Sequence, residues 1–119
     1  MNKHIQIVED DGDIRFIVEY ILEDANYVVE SFENATTFIN RERVENVDLI
    51  ILDVMLPDGN GIDLCRNLKA DEKTINVPVI IMSAHAGSQS VLEEACADDF
   101  INKPFDLDNF LTRVKKILN

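Results

Sequence analysis

The feature that most constrains the fold is an alternation of continuous apolar runs with segments of helical periodicity. Five runs lie near 3–8, 27–31, 48–52, 79–83 and 99–102. They do not alternate with polar residues, which is typical of strands covered on both faces. Helical spacing of apolar residues predicts helices near 12–25, 34–43 and 61–69, a short one from Ser90, and one after Asp106. The alternation predicts an α/β fold of the (βα)5 type, a doubly wound five-stranded parallel sheet with helices on both faces.

Four of the runs end on polar residues of different chemistry. These residues are Glu9-Asp10, Asp53, Ser83 and Lys103. The carboxyl ends of parallel strands share one edge of the sheet, where open α/β folds bind ligands. In the flavodoxin-like strand order 2-1-3-4-5, strands 1 and 3 are neighbours, which would place Asp10 beside Asp53. We therefore predict that order, and one site that contains all four groups.

Asp53 follows the most apolar run and precedes Val54-Met55-Leu56-Pro57. A carboxylate there can act as a nucleophile toward a phosphoryl group and form an acyl phosphate. The alternative role, a helix N-cap, is less suitable because the next predicted helix begins several residues later. A turn is predicted at Pro57-Asp58-Gly59-Asn60-Gly61.

The acidic cluster after the first run suits a divalent cation. Mg²⁺ binds few protein oxygens and keeps waters and substrate phosphate, so carboxylates from two adjacent strands are sufficient. The cluster lacks the glycine and distal glutamate of an EF-hand loop. One member, Asp11 or Asp13, is predicted to cap the first helix.

Ser83 and Lys103 are weak indicators when each is taken alone, because serine at a strand end is usually a turn residue and lysine there is usually solvated. Beside a phosphoryl group, however, the hydroxyl could donate a hydrogen bond and the ammonium could neutralise an oxygen. A cis Lys103-Pro104 bond is plausible where a side chain must be aimed inward.

Composition narrows the class of partner and the compartment. The 119 residues are predicted to form a single domain, 1–119, with net charge −12. Such a domain should repel nucleic acid and anionic membranes, and no apolar stretch approaches a membrane span. Without an export signal, we expect a cytoplasmic protein whose Cys65 and Cys96 are reduced packing residues, with a redox sensor as the minor alternative.

The combined motifs resemble the receiver domains of two-component response regulators over the full length of the chain. They are Ile7-Val8-Glu9-Asp10-Asp11, Asp53-Val54-Met55-Leu56-Pro57, Ser83-Ala84 and the segment Ala97 to Phe105, Ala-Asp-Asp-Phe-Ile-Asn-Lys-Pro-Phe. The resemblance implies a phosphorylation-dependent signalling switch, not a turnover enzyme. A sensor histidine kinase or phosphotransfer protein would phosphorylate Asp53, and a downstream effector protein or domain would respond.

The resemblance also assigns roles to residues. Asp10, Asp53 and the backbone carbonyl of Met55 would bind Mg²⁺, or Mn²⁺, with Glu9 acting mostly through water. Ser83 and Lys103 would bind the phosphoryl oxygens. Phe100 would turn inward when Ser83 moves toward the phosphate, and the output face would be formed by the fourth helix, the last strand and the C-terminal helix. Met55 and His85 match positions that modulate the lifetime of the phosphorylated state, although an exposed loop histidine is an equal alternative for His85.

Two departures from the family pattern leave room for other interpretations. Cys96 stands where receivers usually carry glycine, and the interval from Ser83 to Phe100 is about two residues short. A non-phosphorylated pseudo-receiver scaffold is therefore an alternative. An aspartyl-phosphate phosphatase is less suitable because Met55 occupies the position of its second aspartate, and a flavodoxin would need a phosphate loop where this chain has acids. No effector domain is expected within these residues, which could form a stand-alone receiver or part of a longer regulator.

Overall fold

The main sheet of the computed structural model has the predicted five parallel strands. The structure describes residues 2–41, 46–84 and 97–119. The strands are β1 His4–Val8, β2 Val28–Phe32, β3 Leu49–Asp53, β4 Val79–Ser83 and β5 Asp99–Asn102. Their order is β2-β1-β3-β4-β5, with every pair parallel, so the predicted order is confirmed.

Helices lie on both faces of this sheet. They are α1 Gly12–Asp24, α2 Ala35–Ile39, α3 Gly61–Ala70 and the C-terminal helix Leu107–Leu118. Asp11 caps α1 by accepting from the N–H groups of Asp13 and Ile14, and Asp106 caps the C-terminal helix, both as predicted. The predicted helix from Ser90 lies outside the described residues.

Side chains that alternate along the strands feed two hydrophobic layers. One layer packs against α2 and α3 and includes Val8, Phe38, Leu52, Cys65 and Ile81. The other layer packs against α1 and the C-terminal helix and includes Ile7, Val18, Ile51, Met82 and Phe110. Cys65 is fully buried and has the predicted packing role. Burial on both faces is the reason why the strand sequences are continuously apolar.

The second helix is shorter than predicted. Helix α2 ends at Ile39 instead of continuing to about 43. The backbone N–H and the guanidinium of Arg41 both donate to the carbonyl of Phe38, at 3.3 and 2.6 Å, and close a turn there. The Arg41 guanidinium also lies 3.8 Å from the Phe38 ring and bonds Gln6 of β1. The local turn and the tertiary hydrogen bond to Gln6 together end the helix before its apolar pattern does.

The predicted turn after β3 is a small antiparallel hairpin. Met55–Leu56 pairs with Gly59–Asn60 around the two turn residues Pro57 and Asp58. Below, this segment is called the β3–α3 hairpin. Asn60 then caps α3 by accepting from the N–H of Ile62 at 2.7 Å.

Within residues 2–41, 46–84 and 97–119, no helix is both long enough and apolar enough to cross a membrane.

Candidate functional site

Three carboxylates meet at the carboxyl edge of the two central strands. Glu9 and Asp10 follow β1, and Asp53 is the last residue of the neighbouring β3. Each contributes an oxygen to a group in which all the oxygens lie within 4.8 Å of one another. Glu9 is fully buried and Asp53 is 6% exposed, whereas Asp10 faces solvent. The parallel order of β1 and β3 therefore concentrates negative charge at one point.

Lys103 places a single ammonium between two of these carboxylates. Its Nζ lies 2.6 Å from Oε1 of Glu9 and 3.1 Å from Oδ2 of Asp53. Burial disfavours the charged ammonium, but the hydrogen bonds and the attraction of Glu9 and Asp53 outweigh that effect and raise the pKa of Lys103. The lysine is therefore held charged at the centre of the acidic group.

The carboxyl of Glu9 is strongly affected by its burial. Burial raises the pKa of Glu9 from 4.5 to about 7; the hydrogen bond from Lys103 opposes this shift, and the charge of Asp53 adds to it. Its second oxygen, Oε2, accepts from the backbone N–H of Asp11 at 3.2 Å. Both oxygens of Glu9 are thus engaged by donors of the protein itself.

Ser83 brings a hydroxyl to the same edge from the other side of β3. It is the last residue of β4, is 3% exposed, and its carbonyl accepts from the N–H of Lys103 at 2.8 Å. Ser83, Lys103 and the three carboxylates line one cavity of about 260 Å³. The peptide bond between Lys103 and Pro104 is cis, which the sequence made plausible.

The remaining predicted site residues lie at different depths. Met55 starts the β3–α3 hairpin at the cavity rim, and its side chain is 62% exposed. Phe100 is buried in β5 and packs in the layer under α2 and α3. His85 and Cys96 lie outside the described residues.

The donor set of the cavity fits a hard divalent cation. Carboxylate oxygens are the ligands that Mg²⁺ prefers, and it needs only one or two of them from the protein. Asp10 and Asp53 supply such oxygens, and one ammonium leaves the negative charge of three carboxylates only partly compensated. A cation would offset this excess, so the residues present fit Mg²⁺.

Three neighbours of the site were not predicted from the sequence. The Arg15 guanidinium donates to the backbone carbonyl of Glu9 at 2.7 Å. Gly61 lies directly against the backbone of Asp53, where an added Cβ would be 2.1 Å from the Asp53 carbonyl oxygen. Asp58 reaches from the β3–α3 hairpin to the start of α2. The local sequence does not indicate that these residues adjoin the site. An arginine on a helix is usually a solvated surface residue, and the sequence Pro57-Asp58-Gly59-Asn60-Gly61 is already explained by the turn that it forms.

Comparison with known proteins gives one family. The family model of the response regulator receiver domain matches residues 5–115. Transcriptional regulatory protein CseB of Streptomyces coelicolor is 38% identical over 97% of this chain and 49% of its own length. The chain thus spans about half the length of this relative.

Solved structures give the same result. The non-phosphorylated HemR receiver domain from Leptospira biflexa matches with a TM-score of 0.89 at 36% identity, over 99% of this chain and 95% of that chain. Response regulator TrrA from Thermotoga maritima, solved in complex with Mg²⁺–BeF, matches with a TM-score of 0.85 at 28% identity, over 98% of this chain and 99% of that chain.

Proposed function

The chain belongs to the family of response regulator receiver domains, and from that premise we propose that Asp53 accepts a phosphoryl group from the phosphohistidine of a sensor kinase or phosphotransfer protein. The single observation that carries this proposal is the position of Lys103. Its ammonium is within hydrogen-bond distance of Asp53 and Glu9 in a cavity that Ser83 also lines. A nucleophile, a fixed positive charge and a hydroxyl donor therefore lie at one sheet edge. Phosphoryl transfer requires groups of these three kinds.

The proposed reaction is an in-line displacement at phosphorus. A carboxylate oxygen of Asp53 forms the new O–P bond while the P–N bond of the phosphohistidine breaks, and the leaving imidazole nitrogen keeps the electron pair and is protonated. In a separate, later step, water attacks the phosphorus of the acyl phosphate, the O–P bond to Asp53 breaks, and the carboxylate is regenerated as inorganic phosphate leaves and a proton of the water passes to solvent. The domain thereby catalyses its own phosphorylation and dephosphorylation and is not a turnover enzyme.

Lys103 and Ser83 neutralise and orient the transferred group. The Lys103 ammonium contacts the Asp53 carboxylate. When Asp53 is phosphorylated, the same ammonium can bind a phosphoryl oxygen and neutralise its negative charge. The Ser83 hydroxyl donates to another phosphoryl oxygen from the end of β4. Burial of Ser83 and Asp53 excludes water from this side and strengthens both interactions.

Asp10, Asp53 and the backbone carbonyl of Met55 are proposed as the ligands of Mg²⁺, for which Mn²⁺ can substitute. When bound, the cation neutralises negative charge on the phosphoryl group. Glu9 is proposed to reach it through water, which agrees with the engagement of both Glu9 oxygens by Lys103 and Asp11. The complex of TrrA with Mg²⁺–BeF supports this assignment because TrrA shares the fold and the family.

Phosphorylation is proposed to move Ser83 toward the phosphate and to reposition Phe100, which changes the output face around β5 and the C-terminal helix. Phe100 is already buried in this structure, so any movement of its ring must repack the neighbours in the layer under α2 and α3. Met55 and His85 are proposed to modulate access of the hydrolytic water. Met55 lies at the cavity rim, and His85 lies outside the described residues.

The cellular setting completes the proposal. Residues 1–119 form one receiver domain that works in the cytoplasm, receives its signal from a histidine kinase or phosphotransfer protein and acts on an effector protein or domain. Its net charge of −12 disfavours direct nucleic acid or membrane binding.

Intact-mass measurement tests the acceptor. The protein is incubated with Mg²⁺ and a small acyl-phosphate donor, and wild type is compared with Asp53→Asn and with Asp63→Asn, an exposed aspartate on α3. Wild type and Asp63→Asn should gain one phosphoryl group, Asp53→Asn none, and EDTA should abolish the gain. An unmodified wild type would favour the pseudo-receiver scaffold, and a modified Asp53→Asn would place the acceptor elsewhere.

A further inference from the structure

The β3–α3 hairpin is held by hydrogen bonds at its tip and at its base. The tip is held by the carboxylate of Asp58, which has no role in the proposed reaction. Oδ1 of Asp58 accepts from the backbone N–H of Ala35 at 2.7 Å, and Oδ2 accepts from that of Thr36 at 2.8 Å. The Thr36 hydroxyl donates to Oδ2 as well. These hydrogen bonds lower the pKa of Asp58, so the carboxylate is ionised at neutral pH.

Close packing accompanies these hydrogen bonds. An added Cβ on Gly59 would lie 3.0 Å from Cβ of Ala35, so the hairpin backbone and the start of α2 touch directly. Ala35 is 3% exposed. The contact is therefore a fixed junction between the loop after β3 and the loop after β2.

The base of the hairpin, directly after the phosphoacceptor Asp53, is held by one hydrogen bond across it and one to β4. The N–H of Gly61 donates to the Val54 carbonyl at 2.9 Å, and the N–H of Val54 donates to the Met82 carbonyl at 3.1 Å. Met55 and Leu56, which lie between base and tip, form the first strand of the hairpin. Leu56 is buried, and Met55 pairs with Asn60 across the hairpin, so the backbone of Met55 follows the position of the hairpin.

We infer that Asp58 is a positioning residue of the phosphoacceptor site: by tying the hairpin tip to the start of α2, it holds the backbone carbonyl of Met55 in the place where a divalent cation needs it. This inference rests on the proposed function. Asp58 acts only through the hairpin, since its own oxygens are occupied by donors of α2. Partners that orient a metal ligand in this way typically contribute tenfold or more to metal affinity.

The chain offers a matched control for helix capping. Asn34 caps the same helix: its Oδ1 accepts from the N–H of Thr37 at 2.8 Å and from the Thr37 hydroxyl at 2.9 Å, both within α2 and its cap. Asn34→Ala therefore removes a cap of α2 and leaves the junction, whereas Asp58→Ala removes both. Asp63→Ala removes an exposed carboxylate from α3 and controls for the loss of one negative charge.

Isothermal titration of Mg²⁺ into the full chain at 0.15 M salt tests the inference. Asp58→Ala should raise the Mg²⁺ Kd by about tenfold. Asn34→Ala and Asp63→Ala should bind as wild type does. Should Asp58→Ala fail to fold, Thr36→Val removes only the hydroxyl donor and should still weaken Mg²⁺ binding measurably.

Three contrary results of the titration would overturn the positioning role of Asp58 or the proposed metal site. A wild-type Kd in Asp58→Ala, or the same loss in Asn34→Ala, would reduce Asp58 to a helix cap and leave the proposed function standing. Equal losses in Asp63→Ala and Asp58→Ala would assign the effect to surface charge. If wild type itself did not bind Mg²⁺, the proposed metal site would fall, and this inference with it.

Discussion

The acidic group at the end of β1 and β3 and the single carboxylate of Asp58, five residues after Asp53, behave oppositely. Around Asp53 the carboxylates are crowded, largely buried and paired with the ammonium of Lys103. Asp58 is exposed and paired only with neutral donors of α2. Burial raises the pKa of Glu9 to about 7, whereas hydrogen bonds from Thr36 and Ala35 lower the pKa of Asp58.

Burial and the hydrogen-bond donors around it therefore decide what a carboxylate can do in this fold. At the buried edge, desolvation raises the free energy of the ionised carboxylates. Neutralisation by an ammonium or a bound cation, or transfer of a phosphoryl group to Asp53, is therefore favoured. At the hairpin tip, hydrogen bonds from Thr36 and Ala35 stabilise the charge, and the carboxylate connects the hairpin to α2. The predictions below test the buried group first and then the hairpin.

Removal of Lys103 should give the largest effect. Lys103→Ala leaves Glu9 and Asp53 without their shared cation, so metal-free protein at pH 8 should lose about 3–5 kcal/mol of unfolding free energy. Urea unfolding in EDTA measures this loss, and added Mg²⁺ should restore part of it. Arg66→Ala, in a pair whose side chains are 47% and 69% exposed, should cost at most about 1 kcal/mol. Similar losses of unfolding free energy in Lys103→Ala and Arg66→Ala would show that the buried ion pairs contribute no more to stability than the exposed one.

The pH dependence of stability should reveal Glu9. Because its folded pKa of about 7 lies above its ordinary value of 4.5, the folded state binds the proton more tightly. The contribution of Glu9 is therefore full below pH 4.5 and is lost as the pH rises through 7, by at most about 3 kcal/mol. The raised pKa of Lys103 acts in the alkaline range and leaves this window unaffected.

The comparison of wild type with Glu9→Gln isolates this dependence. The difference in their unfolding free energies should shift in favour of Glu9→Gln between pH 4.5 and 7.5 when both are measured by urea unfolding in EDTA. A difference that stays constant over this range would mean that Glu9 ionises in the folded protein as freely as in water.

The base of the hairpin should tolerate less change than the start of α1. A Cβ at Gly61 would lie 2.1 Å from the Asp53 carbonyl oxygen, so Gly61→Ala should cost about 1–3 kcal/mol and slow phosphorylation of Asp53. At Gly12 the nearest atom would be 3.8 Å away, so Gly12→Ala should stabilise the protein by about 0.5 kcal/mol. Thermal unfolding and the rate of adduct formation measure both variants. Equal stability of the two would show that the backbone at Gly61 can yield.

Local patterns were sufficient for most of the architecture. Continuous apolar runs predicted strands buried on both faces, and β4 and β5 begin and end where the pattern placed them. Asp106 and the stripe that follows it predicted the C-terminal helix. The second helix was the exception: Arg41 bonds Phe38, three residues away, and also Gln6 of β1, which is 35 residues away and brought near only by the fold.

The candidate site divides in the same way. The residue types at the strand ends were readable because a parallel sheet directs every carboxyl end to one edge. Arg15 and Asp58 were not readable, since each has an ordinary local explanation on a helix or in a turn. Their partners become visible only when α1 is folded back on the end of β1 and the β3–α3 hairpin is packed against α2.

The sequence by itself determined the alternation of strands and helices, the chemical identity of the residues at the strand ends, and through them the family. Tertiary structure decided which of these residues meet. Lys103 is 94 residues from Glu9 and 50 from Asp53, and Asp58 is 22 residues from Thr36. Periodicity carries information about a few turns of chain, whereas hydrogen bonds and ion pairs depend on distances of 3 to 4 Å that only the packed sheet and helices establish.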